Sequence, residues 1–319
     1  MIVVAGESLI DLIVRLDGRV EPVPGGGPYN VARTLGRLGC TVSFLGRLSN
    51  DRFGSILSAG LAADGVDLSL APSTDAPTLL AVAEIDADGA ATYHFYVEGT
   101  AAPGLATADV PHGLPRSTTA LHIGTLGLVF EPMASTIDAL VAGTRPDVLV
   151  IADPNCRPTA IRDEAAYRAR LGRIVHRVDV LKVSVEDLHW IDPAADAVAA
   201  ARALAAVGPA AVLVTDGGRP VRIVTRERVE TLEVPGVAVV DTVGAGDAFG
   251  AGFIAAWTSA GRSRSDLGDR EAVAAATRFA IQVGSLTSTR AGAEPPRLAE
   301  LQPSSAAVRH EAPPRAASR

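Results

Sequence analysis

The sequence predicts an α/β protein with a mostly parallel central sheet covered by helices, and three observations carry that expectation. Short apolar runs at residues 2–5, 42–45, 120–123, 148–152, 180–184 and 211–215 alternate with longer segments of helical apolar spacing. A glycine turn, Gly244-Ala245-Gly246, stands between the β-branched run 237–240 and the apolar segment 253–257, which together read as strand, turn and buried helix. Two strand-like runs, 78–85 and 91–97, are joined by a hairpin signal ending in Asp88-Gly89. They interrupt the alternation with no helix between them, so they are expected outside the central sheet.

Composition narrows the class. At 319 residues the chain can bury a large core, as one large domain or two small ones. Hydrophobic residues make up 48%, but Asp, Arg or Pro interrupts every apolar stretch before the roughly 18 residues of a membrane helix. A soluble protein with no membrane partner is expected. The start, Met1-Ile2-Val3-Val4, lacks the basic flank and cleavage site of a secretory signal. Cys40 and Cys156 fall in unrelated contexts, which suits a reducing cytoplasm better than a disulfide framework. The formal charge is −7 with arginines scattered, so nucleic acid is not expected as a partner. No Gly-x-x-x-x-Gly-Lys-Ser/Thr loop, strict Gly-x-Gly-x-x-Gly fingerprint, Gly-x-Ser-x-Gly elbow or His-Glu-x-x-His helix occurs.

Taken in order, the first strand ends at Gly6 and leads to Glu7 and Asp11. Ligands of open α/β sheets bind beyond the carboxyl ends of strands, which puts Asp11 where it can accept hydrogen bonds from ligand hydroxyls. Gly25-Gly26-Gly27 precedes Pro28-Tyr29-Asn30 and a helix over 31–38, leaving a bare backbone beside the helix start; a plain flexible turn explains the glycines equally well. A helix is expected over 55–63, another over 134–141, and strand 148–152 runs into Asp153-Pro154-Asn155-Cys156-Arg157. An arginine there offers a planar fork of donors for an anion, or a structural ion pair. Beyond strand 180–184 come Glu186 and Asp187. A helix is expected over 195–207, and strand 211–215 opens into Asp216-Gly217-Gly218-Arg219-Pro220. The helix opened by the glycine turn begins with Asp247 in its first turn. Unpaired backbone N–H groups and the helix dipole make Gly244-Ala245-Gly246 a candidate anion cradle, and Asp247 a candidate base beside it. The competing reading is that the glycines serve packing and Asp247 the dipole. A last helix is expected over 270–286. From Glu294 onward, prolines among Ser, Ala and Arg read as a tail without a core, so the chain divides at 1–295 and 296–319.

The string Asp241-Thr242-Val243-Gly244-Ala245-Gly246-Asp247 closely resembles the C-terminal signature of the ribokinase-like (PfkB) sugar and nucleoside kinases. The glycine triplet with Asn30, Ala32 and Leu35-Gly36-Arg37-Leu38-Gly39 is similar to the family's first signature, and 46–54 to its Gly-x-x-x-x-Asp-x-Phe-Gly segment. Asp153-Pro154-Asn155-Cys156-Arg157 looks like the fructokinase-like branch. The resemblance covers about residues 1–295.

It implies a three-layer α/β/α fold with a small β-sheet lid, drawn mainly from 11–24 and 76–100, that closes over the substrate and forms a homodimer. It implies ATP-dependent transfer of the γ-phosphoryl group to a sugar hydroxymethyl group, fructose- or ribose-like, with a nucleoside or 2-keto-3-deoxygluconate as alternatives. A non-catalytic sugar-binding module is the reading from another class. By the resemblance Asp247 is the base, and Gly244, Ala245 and Gly246 stabilise the transferring phosphoryl group. Asp11, Gly26, Gly27, Asn30, Tyr96, Asn155 and Arg157 contact the sugar, with His94 and Glu98 as further lid candidates. Where relatives carry Asn-x-x-Glu this chain has Ser184 and Asp187. Those two, with Thr215 and Gly217, are assigned to the nucleotide, and Glu186 or Asp187 to hydrated Mg²⁺. The segment Thr289-Arg290-Ala291-Gly292-Ala293 implies a monovalent cation, K⁺, held by Asp241 and backbone oxygens of Val243, Thr287, Arg290 and Gly292.

Overall fold

The computed structural model of the protein describes residues 1–85, 91–111 and 113–301. In chain order its elements are β1 (Ile2–Ala5), β2 (Leu9–Val14), β3 (Val20–Gly25), α1 (Gly27–Arg37), β4 (Val42–Leu45), β5 (Leu48–Ser49), α2 (Arg52–Ala63), β6 (Ser73–Thr74), β7 (Leu80–Ile85) and β8 (Ala91–Tyr96). There follow β9 (Ala120–Gly124), α3 (Met133–Ala142), β10 (Leu149–Asp153), α4 (Glu164–Arg177), β11 (Val180–Ser184), α5 (Val185–Ile191), α6 (Ala197–Val207) and β12 (Ala211–Asp216). The chain continues with β13 (Arg219–Val224), β14 (Val229–Leu232), α7 (Ala245–Ser259), α8 (Arg270–Thr287) and α9 (Leu298–Leu301).

The main sheet has the order β14-β13-β12-β11-β10-β9-β1-β4, parallel from β12 to β4 and antiparallel at the β13 and β14 edge. Its strands are apolar throughout because both faces are covered. Along β1, Ile2 and Val4 enter a core built with α1, α2, α7 and α8, while Val3 and Ala5 enter a second core with α3, α4 and α6. This is the expected three-layer α/β/α arrangement. The lid is a separate four-stranded sheet, β3-β2-β7-β8. The turn expected at 86–89 lies outside the described residues.

One carboxylate ties the lid to the body. Asp51 caps α2 by accepting from the Gly54 amide at 2.7 Å, and it also accepts from the amide and hydroxyl of Thr78, each at 2.7 Å, just before β7 begins.

Several expectations are corrected. Residues 237–240 form no strand: all four are exposed, and the Val240 amide donates instead to the Ser288 carbonyl at the end of α8. Of the three glycines, Gly25 ends β3, Gly26 precedes the helix and Gly27 already begins α1, so Asn30 lies inside the helix. Helix α4 and the β13–β14 hairpin were not anticipated. The segment past residue 295 does not start as a loose tail. Pro295 and Pro296 are buried, Arg37 donates to the Pro295 carbonyl at 2.7 Å, and α9 follows, its Leu301 packed on the first core. Pro303, Pro313 and Pro314 lie outside the described residues. Among the described residues no helix is long and apolar enough to cross a membrane.

Candidate active site

Two cavities meet at the N-terminus of α7. The first, of about 340 Å³, opens between the lid and the carboxyl ends of the main-sheet strands. Asp11 reaches it from β2, Asn30 from α1, Asn155 and Arg157 from the loop after β10, and Asp247 from the first turn of α7. The structure therefore brings together Asp11, Gly26, Gly27, Asn30, Asn155, Arg157, Val243, Gly244, Gly246 and Asp247, drawn from sequence positions more than two hundred residues apart. The Asn30 side-chain amide donates to Asp247 Oδ2 at 2.9 Å, which aims the carboxylate into the cavity. Burial raises the Asp247 carboxyl above its ordinary value, against the hydrogen bond from Asn30 and the positive charges of Lys182 and Arg157. Burial likewise pushes Asp11 up to about 6, opposed by Arg157.

The second cavity, of about 350 Å³, is a groove on the other side of the glycine turn. Thr215 and Gly217 line it, with Val237 and Val239, Ala245, and Gly284 and Ser288 from α8 and its end. Thr242 and Gly246 line both cavities, so one turn of backbone separates them. Gly244 caps α7 at φ 73, in the left-handed region, and a β-carbon there would run into Ala293. The cradle is narrower than expected. The Ala245 amide donates to the Thr242 carbonyl at 3.2 Å, whereas those of Gly244 and Gly246 have no protein acceptor among the described residues.

Other assigned residues lie behind these cavities. Ser184 and Asp187 line neither; they form the capping box of α5, where Asp187 Oδ2 accepts from the Ser184 amide and hydroxyl and Oδ1 from the Cys156 amide. Glu186 is exposed in the same turn. Asp241 knits two loops, accepting from the Val243 amide at 3.0 Å and the Gly292 amide at 2.9 Å. The amides of Val240 and Asp241 both donate to the Ser288 carbonyl, so Val243, Thr287, Arg290 and Gly292 belong to one knot of backbone. Among the described residues no three His, Cys, Asp or Glu side chains group as metal ligands, so a cation here would rest on backbone oxygens and Asp241.

The lid assignment is corrected. Tyr93 and Phe95 line the first cavity, whereas Tyr96 is 61% exposed and lines neither cavity, and His94 and Glu98 are exposed. Side chains of a strand alternate between faces, and the sequence does not show which parity faces inward.

Three polar side chains of the cavity, Glu7, Thr125 and Lys182, were not assigned to it from the sequence. Thr125 stands just after β9. Glu7 is buried, accepts from the amides of Gly27 at 3.2 Å and Gly127 at 2.8 Å, and is pushed by burial up to about 7. Lys182 is a buried cation within β11, and a lysine inside an apolar run was the signal that could have found it.

Comparison with known proteins agrees with this geometry. Residues 1–299 match the pfkB family carbohydrate kinases. A fructokinase of Rhizobium leguminosarum bv. trifolii is 38% identical over 259 residues, covering 80% of this chain and 79% of its own. The crystal structure of a fructokinase from Xylella fastidiosa with bound ATP superposes with a TM-score of 0.86 at 29% identity, over 94% of this chain and 96% of its own. A double-mutant fructokinase from Vibrio cholerae O395, in a form bound to fructose, ADP and potassium ion, has a TM-score of 0.82 at 26% identity, over 94% and 96%. The chain belongs to the pfkB family of carbohydrate kinases.

Proposed function

We propose that the protein phosphorylates a hydroxymethyl group of a fructose- or ribose-like sugar with ATP. Membership of the family already makes it an ATP-dependent phosphotransferase with an alcohol acceptor. The observation that carries the finer reading is the shared wall: Thr242 and Gly246 line both cavities, so a sugar beside Asp247 and a triphosphate in the groove face each other across one turn.

In this reading Asp11, Asn155 and Arg157 hold the sugar, with the backbone of Gly26 and Gly27 beneath it. Asp247, oriented by Asn30, takes the proton of the attacking hydroxyl. In a loose phosphoryl-transfer transition state positioning matters more than basicity, which suits a carboxylate base. The free amides of Gly244 and Gly246 stabilise charge on the transferring group. Lid closure by Tyr93 and Phe95 excludes water, the competing acceptor.

Hydrated Mg²⁺ supplies charge neutralisation on the phosphates when bound. Asp187 is buried in the capping box of α5 and lines neither cavity, whereas Glu186 is exposed in the same turn, which favours Glu186 as the carboxylate that would meet its water shell. The Asp241 knot is assigned to K⁺, an assignment supported by the potassium-bound fructokinase. Leu16 and Val20, 74% and 54% exposed, together with Tyr96, give the lid an apolar exterior suited to homodimerisation. Two unpaired cysteines suit a cytoplasmic location.

The test is an ADP-release assay over hexoses, pentoses, nucleosides and 2-keto-3-deoxygluconate, with and without potassium. Fructose or ribose is expected to give the highest kcat/KM. A preference for a nucleoside or keto-deoxy acid would displace the sugar assignment, and no turnover with any acceptor would overturn the kinase reading.

A further inference from the structure

We propose that Lys182 is a catalytic residue of the phosphoryl transfer, its ammonium meeting the transferring group where the two cavities join, and that Asp153 positions it. The inference rests on the kinase reading above and extends it to a side chain outside the signature motifs.

Lys182 lies in the middle of β11, between the fully buried Leu181 and Val183 of the second core, and its side chain is 6% exposed. Placing an ammonium there is costly, and a buried ion pair can often be replaced by apolar residues with no loss of stability. A purely structural role is therefore a weak account of it. Its partner is Asp153 at the end of β10, with Nζ to Oδ2 at 2.8 Å. An ammonium carries three donors, and among the described residues this is the one hydrogen bond it makes. The other oxygen of Asp153 is buried with no partner, so the carboxylate is committed to the lysine alone. Lys182 lines the acceptor cavity beside Asp247, leaving its remaining donors toward that space.

Gly246 gives the second, independent indication. A β-carbon built on Gly246 would stand 2.9 Å from Lys182 Nζ. Gly246 is one of the two residues lining both cavities, so the ammonium lies directly against the wall that the phosphoryl group crosses. The missing side chain at 246 thus serves the approach of the ligand and also makes room for the cation. Burial works against the charged form of Lys182, but Asp153, then Asp187 and Asp247, outweigh it and hold the lysine above its ordinary value. The group stays charged at neutral pH. In the step itself the bond from acceptor oxygen to γ-phosphorus forms and the bond from γ-phosphorus to the bridging oxygen of ADP breaks. The acceptor proton passes to Asp247, and Lys182 keeps its own protons throughout, countering negative charge at the junction.

The experiment uses the full chain with the best acceptor found for the unsubstituted protein. Lys182→Met is compared with Lys182→Met/Asp153→Asn, which removes the stranded carboxylate, and with Asp153→Asn and Asp153→Leu. Folding is checked by thermal melting. In a folded Lys182→Met variant kcat is expected to fall by about 10²–10³-fold, the typical loss of one such donor, while the acceptor KM moves by less than about threefold. Asp153→Asn, which keeps an oxygen for the ammonium but removes the countercharge that holds it protonated, is expected to lose turnover to a degree between the parent and Asp153→Leu; Asp153→Leu is expected to lose it as Lys182→Met does, with KM unmoved in both. The proposal is overturned by a folded Lys182→Met variant within about tenfold of the parent kcat, or by a loss carried by KM alone. Loss of the native melting transition in both lysine variants would make the pair structural and would also overturn it. If the unsubstituted protein turned over no acceptor, the kinase reading itself would be what failed.

Discussion

The two cavities beside α7 are nearly equal in size and share a wall, yet they are built differently. The first cavity brings charged and amide side chains together, Glu7, Asp11, Asn30, Arg157, Lys182 and Asp247, converging from six segments of the chain. The groove is lined by glycines, valines, short hydroxyl residues and the larger Phe249 and Ile281, and presents mainly backbone and apolar groups. In the proposed reading the acceptor side takes its ligand through directed hydrogen bonds, whereas the nucleotide side accommodates one through shape and main-chain approach. Mutations on the two sides should separate kinetically, and a failure to separate would break the comparison.

The largest effect is expected at the shared wall. Asp247→Asn keeps the size and the Asn30 neighbour but removes the base, so kcat should fall by about 10²–10⁴-fold with both ligands still bound, as measured by calorimetry and ADP release. Retained turnover would remove Asp247 as the base. Next, Asp11→Ala should raise the acceptor KM by roughly 10–100-fold, the loss of a charged hydrogen bond of about 1.5–3 kcal/mol, with the ATP KM unchanged. Val239→Asp should do the reverse, placing a carboxylate against the phosphate-bearing ligand. A rise of about tenfold in ATP KM, near 1.4 kcal/mol, is expected with the acceptor KM unmoved.

The smallest effect sharpens the comparison through pH. As the proposed base Asp247 must be ionised, and its carboxyl is raised by burial. The acid limb of kcat/KM should therefore lie above the ~3.9 of an ordinary aspartate, with activity falling as pH drops through it. The hydrogen bond from Asn30 lowers that value. Asn30→Ala should move the limb upward by about one unit or less, and a downward shift would contradict the assignment.

Where the proposed chemistry falls in a continuous string, as in residues 241–247, the sequence displays its candidate residues together, because one turn of chain would supply both cradle and base. The alternating strands were legible for the same reason: burial on both faces leaves an apolar run. Glu7 and Thr125, just past the ends of β1 and β9, were not legible as site residues, since their neighbours in space are remote in sequence; Lys182, in the middle of β11, was marked only by being a charge within an apolar run. Tyr93 and Tyr96 differ only in strand parity, which tertiary packing decides. The run 237–240 has the composition of a strand, but Val237 and Val239 line a groove instead and Val240 is exposed outside it. Helix α4 did carry a readable pattern, with Tyr167, Leu171, Ile174 and Val175 on its buried face. Its four arginines obscured it.

The Asp51 carboxylate, which caps α2 and grips Thr78, also sets how the lid can move. Because both the amide and the hydroxyl of Thr78 are held there, the root of β7 is pinned to the body, and bending is confined to strand positions beyond it. Hydrogen exchange should register this as a gradient: the Thr78 amide should exchange more slowly than those farther along β7, because it is freed only when the α2 cap also opens. The lid then behaves as a flap with a fixed root: it opens without disturbing the α2 cap, and only release of Thr78 itself is coupled to the fraying of α2.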